Sequence, residues 1–289
     1  MDEDLRGLDL SGLDLTGADL SRADLRGAHL LGVTLAHASL TEAKLDDAEL
    51  AGSDLRGATL ERASAERAGF GSCDLSRASF FGARADHACF VEAKLSRADL
   101  RGMRARDARF AQAQLAFACL ARADLRGADL ERASVDHTSF VETDLRAARL
   151  RRLDRFERAT FLRADVRDVD WSGAYLVRRH VLDENFLDEF RSRSSMDRAI
   201  YWMWWTSSDC GRSLTRWTAW TLLIALVFGF VFSCLTLNAP EHSQGLTPYY
   251  FSLVTLTTLG YGDVLPGSTR AQVAVMAEVG IGYLMLGGL

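Results

Sequence analysis

The residues best suited to chemistry lie near the C-terminus, in residues 257–263, which read TTLGYGD. Gly260 and Gly262 flank Tyr261 within this run. Because glycine reaches backbone dihedrals that other residues avoid, such a segment can turn successive carbonyl oxygens toward one axis. Rings of backbone carbonyls are one means by which proteins replace the hydration shell of a cation. The two glycines therefore leave the backbone of this run free to present its carbonyl oxygens in one direction.

Reactive side chains show no comparable grouping elsewhere in the chain. The six histidines are scattered, and the five cysteines form no CxxC pair, so we expect neither a zinc site nor a disulfide framework. No Ser-His-Asp grouping, carboxylate pair or phosphate-binding loop stands out, so we expect a protein that is not an enzyme and has no organic cofactor. The net charge of −5 carries no basic footprint for nucleic acid.

Two apolar stretches must position the glycine-rich run. Residues 217–240 are 24 residues without a charge, and residues 271–289 are interrupted only by Glu278; each is long enough to be a membrane span. Residues 247–266 between them are too short and too polar to cross, and read as a short helix, 248–257, followed by a Gly-rich return. Irregular backbone at membrane depth is tolerated where it lines an aqueous path, which predicts a re-entrant segment.

The charges around the first span predict its orientation. Arg212 and Arg216 precede the span, whereas residues 238–245 after it contain no Lys or Arg. By the positive-inside rule, the N-terminal part is cytoplasmic and this loop is outside. The acidic N-terminus has no apolar signal region. We expect a multi-pass protein of the cell inner membrane, in contact with lipid.

The run TTLGYGD, placed after a pore-helix pattern and between two spans, resembles the signature of potassium channels. The resemblance implies a homotetramer that transports K⁺ through a selectivity filter. It implies that the carbonyls of Thr258, Leu259, Gly260 and Tyr261 line the ion sites, with Gly262 completing the filter and Thr257, Asp263, Tyr250 and Val254 supporting it.

Several residues refine or depart from this resemblance. Leu259 replaces the commoner Val or Ile, and Val254 stands where some bacterial channels carry a Glu that pairs with the filter Asp. Gly282 lies where related inner helices have a hinge glycine, although close packing of helices through small residues explains it equally well. Glu278 is an intramembrane polar site by default, or it pairs locally behind the filter. The sequence has no regularly spaced array of arginines, so we expect no voltage sensor of the usual kind.

The N-terminal part repeats every five residues. Leu or another apolar residue recurs without a slip from Leu5 to Leu150, usually with Ala two residues before it. The register then shifts by one and resumes at Phe156, Phe161, Val166, Trp171 and Leu176, which makes 30 units plus five. A period of five fits neither a helix nor a flat strand, but it fits a chain that turns a corner every five residues.

Units such as ADLSR and ADLRG resemble the pentapeptide-repeat family over about 60% of the chain. The resemblance implies a right-handed quadrilateral β-helix with four repeats per coil, so that residues 20 apart stack. Phe70, Phe90 and Phe110 are 20 apart, and so are the small residues Ala65, Ala85 and Ala105 one face earlier. Exchanging bulk between neighbouring walls keeps the core volume constant, as close packing requires.

Residues 177–216 break the repeat. Leu182, Phe186 and Phe190 recur at helical spacing, and this face would most simply cover the open end of the β-helix, whose edge needs a cover. Tryptophans then crowd together, which predicts an interfacial helix from Met196 to Ser207 along the cytoplasmic face of the membrane; burial of this helix against the β-helix is the alternative.

The sequence therefore predicts a multi-domain chain with a β-helix at 1–176, a helical connector at 177–213 and an all-α pore module with two transmembrane helices and a re-entrant pore helix at 214–289. The leading interpretation is a potassium channel subunit whose cytoplasmic repeats act as a scaffold or regulatory module for an unknown cytosolic partner. Two alternatives stay open: a membrane-tethered binding protein for a cytosolic partner, and a non-selective cation channel.

Overall fold

A computed structural model describes residues 4–211, 213–239, 245–257, 259–260 and 262–286. The chain divides into two compact units, Met1–Asp188 and Glu189–Leu289. Each unit is described by itself.

The first unit is a stack of four-sided coils. Parallel bridges join each residue before a repeat centre to the residue 20 positions later, beginning with Asp4 to Asp24. The backbone donors and acceptors alternate between neighbouring coils: the Leu25 amide donates to the Lys44 carbonyl at 2.7 Å, and the Lys44 amide donates to the Ala23 carbonyl at 3.0 Å. The predicted coil of four repeats is confirmed.

The corners of the coils explain why the period is five. From Leu5 to Leu150, the second residue after each centre adopts a positive φ, whether it is glycine, as at Gly27 (64°), or another residue, as at Arg22 (63°). One left-handed residue per repeat turns the chain through a corner. The Asp before a centre often accepts a hydrogen bond from the amide two residues on, as between Asp54 and Arg56 at 3.1 Å, so the frequent Asp of the repeat holds the turn.

The core runs along the inside of the stack. Repeat centres and the small residues two positions before them are buried in the inner coils. Phe70 and Phe90 stack with ring centroids 5.0 Å apart, and Phe90 and Phe110 with centroids 4.7 Å apart. The opposing Ala65, Ala85 and Ala105 are fully buried. The predicted exchange of bulk between neighbouring walls is confirmed.

The predicted register shift is a local insertion. A short 3-10 helix at Phe156–Arg158 takes up one extra residue, and the bridges after it join residues 21 apart, as between Ser139 and Thr160. The core stays in register because Phe161 still stacks on Phe140, with centroids 4.7 Å apart. The predicted repeat centre at Leu176 is wrong: this residue is exposed and belongs to the helix that follows.

Helix α1, Tyr175–Arg193, covers the last coil with a face different from the predicted one. Leu182 and Phe186 are exposed, whereas Val177 and Val181 are buried. The exposed sheet edge needs hydrogen-bond partners as well as apolar cover, and this requirement decides which face of α1 turns inward. Polar side chains of α1 satisfy the backbone groups of the sheet edge. The Phe161 amide donates to Glu184 at 2.7 Å, and the Arg163 amide donates to Asn185 at 2.6 Å. Asn185 in turn donates to the Phe161 carbonyl at 3.0 Å.

The second unit is mostly helical. Ser194 and Ser213 cap the helices that begin at Ser195 and Leu214. Their side chains accept hydrogen bonds from the amides of Asp197 and Arg216, which satisfies donors that a helix start leaves free. A two-stranded antiparallel ladder joins Leu237 to Pro266. The elements in order are α2 (Ser195–Ser208), α3 (Leu214–Ser233), β1 (Leu237–Asn238), α4 (Thr247–Leu256), β2 (Leu265–Pro266) and α5 (Thr269–Leu286).

Helix α3 is the one helix, among the described residues, that is by itself long and apolar enough to cross a membrane. Helix α5 has 18 residues and carries Arg270 and Glu278, so its composition is less decisive. The second span and the re-entrant path of α4 stay predictions.

Candidate functional site

Helix α4 leads directly into the glycine-rich run. It covers Thr247–Leu256 with Pro248 in its first turn, close to the predicted 248–257, because proline is well suited to a position whose amide has no helical partner. At its end, the Thr257 hydroxyl donates to the Leu253 carbonyl at 2.7 Å. The free carbonyls at a helix C-terminus carry partial negative charge, so the end of α4 that adjoins the run favours a cation.

The backbone of the run has the conformation that its glycines allow. Gly260 has φ +53° and Gly262 has φ +75°, and a Cβ added at either would meet nothing within 4 Å. Both positions therefore use the left-handed region that other residues rarely adopt, in open surroundings. Leu259 is exposed, and its amide donates to the Val254 carbonyl of α4 at 3.1 Å. Thr258 and Tyr261 lie outside the described residues.

Both ends of the run are anchored on the helices. After Asp263, Val264 is buried in an apolar cluster with Phe232 of α3 and Phe251 of α4. The β1–β2 ladder then joins the segments on either side, and the Gly267 amide donates to the Thr236 carbonyl at 2.9 Å. The run is a loop fixed at its two ends, in which Leu259, Gly260 and Gly262 are exposed.

The predicted supporting residues fall on different faces of this arrangement. Val254 is buried, and Asp263 is exposed. A valine side chain has no hydrogen-bonding group, so it cannot supply the brace that a glutamate gives in some related channels. Tyr250 is partly exposed on α4. The support predicted for Thr257, Tyr250 and Asp263 stays a prediction.

Glu278 lies at a junction of three helices. Its side chain is completely buried, and its Oε1 contacts the Oγ of Ser252 on α4 at hydrogen-bonding distance. The same Ser252 Oγ lies 2.9 Å from the carbonyl oxygen of Ala225 on α3. The second carboxyl oxygen, Oε2, is buried and has no hydrogen-bond partner within the described part of the chain. Glu278 thus contacts α4 locally, and its predicted role as a functional intramembrane site stays a prediction.

Two glycines let these helices approach closely. A Cβ on Gly282 of α5 would lie 2.6 Å from the Leu256 carbonyl oxygen, and a Cβ on Gly229 of α3 would lie 2.3 Å from the Tyr249 ring. Gly282 thus allows close packing of α5 on α4, whether or not α5 also bends at this position. Sequence reasoning did not find Ser252, Ala225 or Gly229. Their only local signal was a hydroxyl in an apolar helix and small residues in an apolar span.

Comparison with known families covers both parts of the chain. A model of pentapeptide repeats, in 8 copies, matches residues 4–41, 35–70, 60–102 and 93–132. A model described as ion channel matches residues 220–289, a range that contains α4, the glycine-rich run and α5. The chain is a fusion of pentapeptide repeats with a C-terminal ion-channel domain.

Curated relatives of this fusion match a short part of its length. The voltage-gated potassium channel regulatory subunit KCNG1 of Homo sapiens is 35% identical over 49 residues, which are 17% of this chain and 10% of the relative. The proteins of the same name from Mus musculus and Rattus norvegicus match equally. The fusion therefore spans about a tenth of the length of these relatives.

Solved structures similar to the fusion match its repeat domain. Full-length QnrB1, a plasmid-mediated fluoroquinolone resistance protein, is 20% identical with a TM-score of 0.37, over 60% of this chain and 99% of that one. HetL, a pentapeptide repeat protein of the cyanobacterium Nostoc, is 25% identical with a TM-score of 0.23, over 60% of this chain and 88% of that one. The fold of the repeat domain rests on its own bridges and core.

Proposed function

We propose that the fusion is one subunit of a homotetrameric, potassium-selective channel of the cell inner membrane. The observation that carries the proposal is the left-handed backbone of Gly260 and Gly262, in an exposed loop that leaves the C-terminal end of α4. This conformation can turn successive carbonyl oxygens toward one axis, and it occurs within the segment that matches the ion-channel family. K⁺ is the transported ion, held by the carbonyls of residues 258–261.

Four copies are needed because one loop presents only one oxygen at each level. A dehydrated K⁺ requires a ring of oxygens, and a ring is built by closed rotational symmetry. The surroundings of Gly260 and Gly262 within one chain are open, which leaves room for three neighbouring loops. In this arrangement α3 and α5 are the outer and inner spans, and α4 with its loop is the re-entrant segment between them.

The pentapeptide-repeat domain serves as a cytoplasmic scaffold or regulatory module. Its surface carries short ion pairs between neighbouring coils and within turns, such as Arg67 with Asp47 and Arg56 with Asp54, each with an N–O distance of 2.6 Å. Exposed pairs of this kind solvate a surface and contribute little stability each. A surface of this kind, in a chain that also carries an ion-channel domain, favours docking of a cytosolic partner over catalysis.

Ion flux in liposomes tests the proposed function. Purified wild-type protein should carry K⁺ much faster than Na⁺ under bi-ionic conditions. Gly260→Ala should abolish K⁺ conduction or selectivity, because alanine is strained at φ +53°. Gly245→Ala is the matched control, since Gly245 has no left-handed φ and open space around its Cα; it should conduct normally.

Three outcomes would contradict the proposal. Equal passage of Na⁺ and K⁺ would instead indicate a non-selective cation channel. Absence of any flux from assembled wild-type protein would favour a membrane-tethered binding protein. Unchanged selectivity in Gly260→Ala would refute the role of the glycine-rich loop.

A further inference from the structure

Ser252 is a point at which α4 makes polar side-chain contact with both flanking helices. It is fully buried, its Oγ lies 2.9 Å from the Ala225 carbonyl of α3, and it contacts Glu278 Oε1 of α5. Buried polar groups are expensive unless they are paired. A junction of this kind in an otherwise apolar helix layer therefore fixes one arrangement of the three helices.

Close contacts between the helices lie about one helical turn away from the junction. Gly282 lies four residues after Glu278, and it meets Leu256, which lies four residues after Ser252. On the other side Gly229 lies four residues after Ala225, and it meets Tyr249. Residues four apart share one helix face. Helix α4 is therefore held on two sides by a polar contact and by a close backbone approach one turn away.

The count of protons at the junction constrains the side chain at position 278. The Ser252 hydroxyl has one proton to donate, but two acceptors contact its oxygen, the Ala225 carbonyl and the Glu278 carboxyl. Both contacts become hydrogen bonds when position 278 supplies a second proton to Ser252 Oγ while Ser252 donates to Ala225. A carboxylic acid or an amide can do this, whereas an aliphatic side chain cannot.

We propose that Glu278 and Ser252 are positioning residues that set the orientation of α4, and through it the geometry of the glycine-rich loop, by a hydrogen-bond chain from α5 through α4 to α3. This inference rests on the proposed channel function and deepens it. The link to the loop is short: Leu259 of the loop donates to the Val254 carbonyl, two residues from Ser252. A rotation or shift of α4 at Ser252 therefore moves the start of the loop.

The consequence is that selectivity depends on a residue of the inner helix, Glu278, that is not part of the loop. Because the junction links α5 directly to α4, movement of α5 is transmitted to the loop as well as to the inner end of the pore. The loop and the inner helix are then coupled elements, and loss of the junction uncouples them.

Planar-bilayer recording of the full-length protein tests this coupling. The K⁺/Na⁺ permeability ratio, taken from reversal potentials, should fall about tenfold in Ser252→Ala and in Glu278→Leu, as expected for a buried group left without its partner. Glu278→Gln should stay within about twofold of the wild type, because its amide keeps a donor. Ser233→Ala is the matched control, since the Ser233 hydroxyl donates to Phe230 within α3 and is exposed; it should behave as the wild type.

The pattern across variants separates positioning from a general loss of structure. Tetramer assembly is measured for each variant by gel filtration, and the double variant Ser252→Ala/Glu278→Leu should be no worse than either single variant, because both remove the same chain of hydrogen bonds. Additive effects, a normal ratio in Ser252→Ala, or equal damage by Glu278→Gln and Glu278→Leu would each overturn the proposal. If Ser252→Ala does not assemble, the two Glu278 variants decide alone.

Failure of this proposal is distinguishable from failure of the proposed function. Wild-type protein without K⁺ flux would refute the channel function itself. Wild-type protein that conducts K⁺ selectively, together with Ser252 and Glu278 variants that do the same, would refute only the junction.

Discussion

Replacement of Gly282 by alanine distinguishes a packing glycine from a hinge glycine. A Cβ at this position would lie 2.6 Å from the Leu256 carbonyl oxygen, about 0.8 Å inside the 3.4 Å at which ordinary contact begins. The obstacle is backbone, so no side-chain rotation relieves it. Either α5 moves away from α4 by most of that distance, or the protein keeps a clash.

The energetic cost follows from this displacement. Overpacking of a close contact typically costs about 1–3 kcal/mol, against a gain of about 1 kcal/mol when alanine replaces glycine inside a helix. Gly280 supplies the reference for the gain alone, because a Cβ there would meet nothing within 4 Å. Gly280→Ala should therefore be as stable as the wild type or more stable, and Gly282→Ala should be less stable than Gly280→Ala.

Thermal unfolding in detergent and single-channel recording measure the two aspects of this prediction. The midpoint temperature of thermal unfolding should be highest for Gly280→Ala, lower for Gly282→Ala and lowest for Gly282→Val, because each added methyl group enlarges the clash. A residue that serves only as a flexible hinge would show altered gating with no loss of stability, and equal or higher stability of Gly282→Ala than of Gly280→Ala would refute the packing interpretation.

Two further predictions concern the pentapeptide-repeat domain. Phe90→Ala removes the ring between Phe70 and Phe110 and should lower the free energy of unfolding by about 3–5 kcal/mol. Urea denaturation followed by far-UV circular dichroism measures this loss. Phe81 is exposed, so Phe81→Ala is the control, and equal losses in both variants would contradict a stacked core. Acid should weaken the domain, because a side-chain hydrogen bond from Arg6 lowers the pKa of Asp4 to about 2, and other turn aspartates are lowered in the same direction. A folded pKa below the unfolded value of about 3.9 means that this stability is present above about pH 4 and is lost as the pH falls toward 2; a urea midpoint that stays constant from pH 7 to pH 2 would contradict it.

The repeat domain was largely predictable because every unit carries the same local signal. A five-residue period, a turn residue at each corner and matching bulk 20 residues apart all indicate one coil. The prediction failed at the end of the stack, where Leu176 and Leu182 were expected to face inward. There the sheet edge selects its cover by hydrogen bonding through Glu184 and Asn185, and an apolar pattern does not report that requirement.

The glycine-rich loop was also predictable, since left-handed dihedrals are a local property of Gly260 and Gly262. The junction around α4 was not. Ser252 meets groups that lie 27 residues before it and 26 residues after it, and Gly229 meets a residue of another helix. Such contacts depend on how the helices cross, and one sequence carries no signal that pairs a hydroxyl in one helix with a carbonyl in the next.

The absence of an acidic side chain at position 254 acquires a physical meaning from this junction. Val254 and Ser252 lie two residues apart on α4, which places them about 200° apart around the helix, on nearly opposite sides. The resemblance to potassium channels implies that a glutamate at 254 would pair with Asp263, whereas the observed contacts of Ser252 join α4 to Ala225 and Glu278. The polar contacts of Ser252 thus lie on the side of α4 that faces α3 and α5. Under the proposed coupling, the conformation of the loop depends on α5 through Ser252 and Glu278.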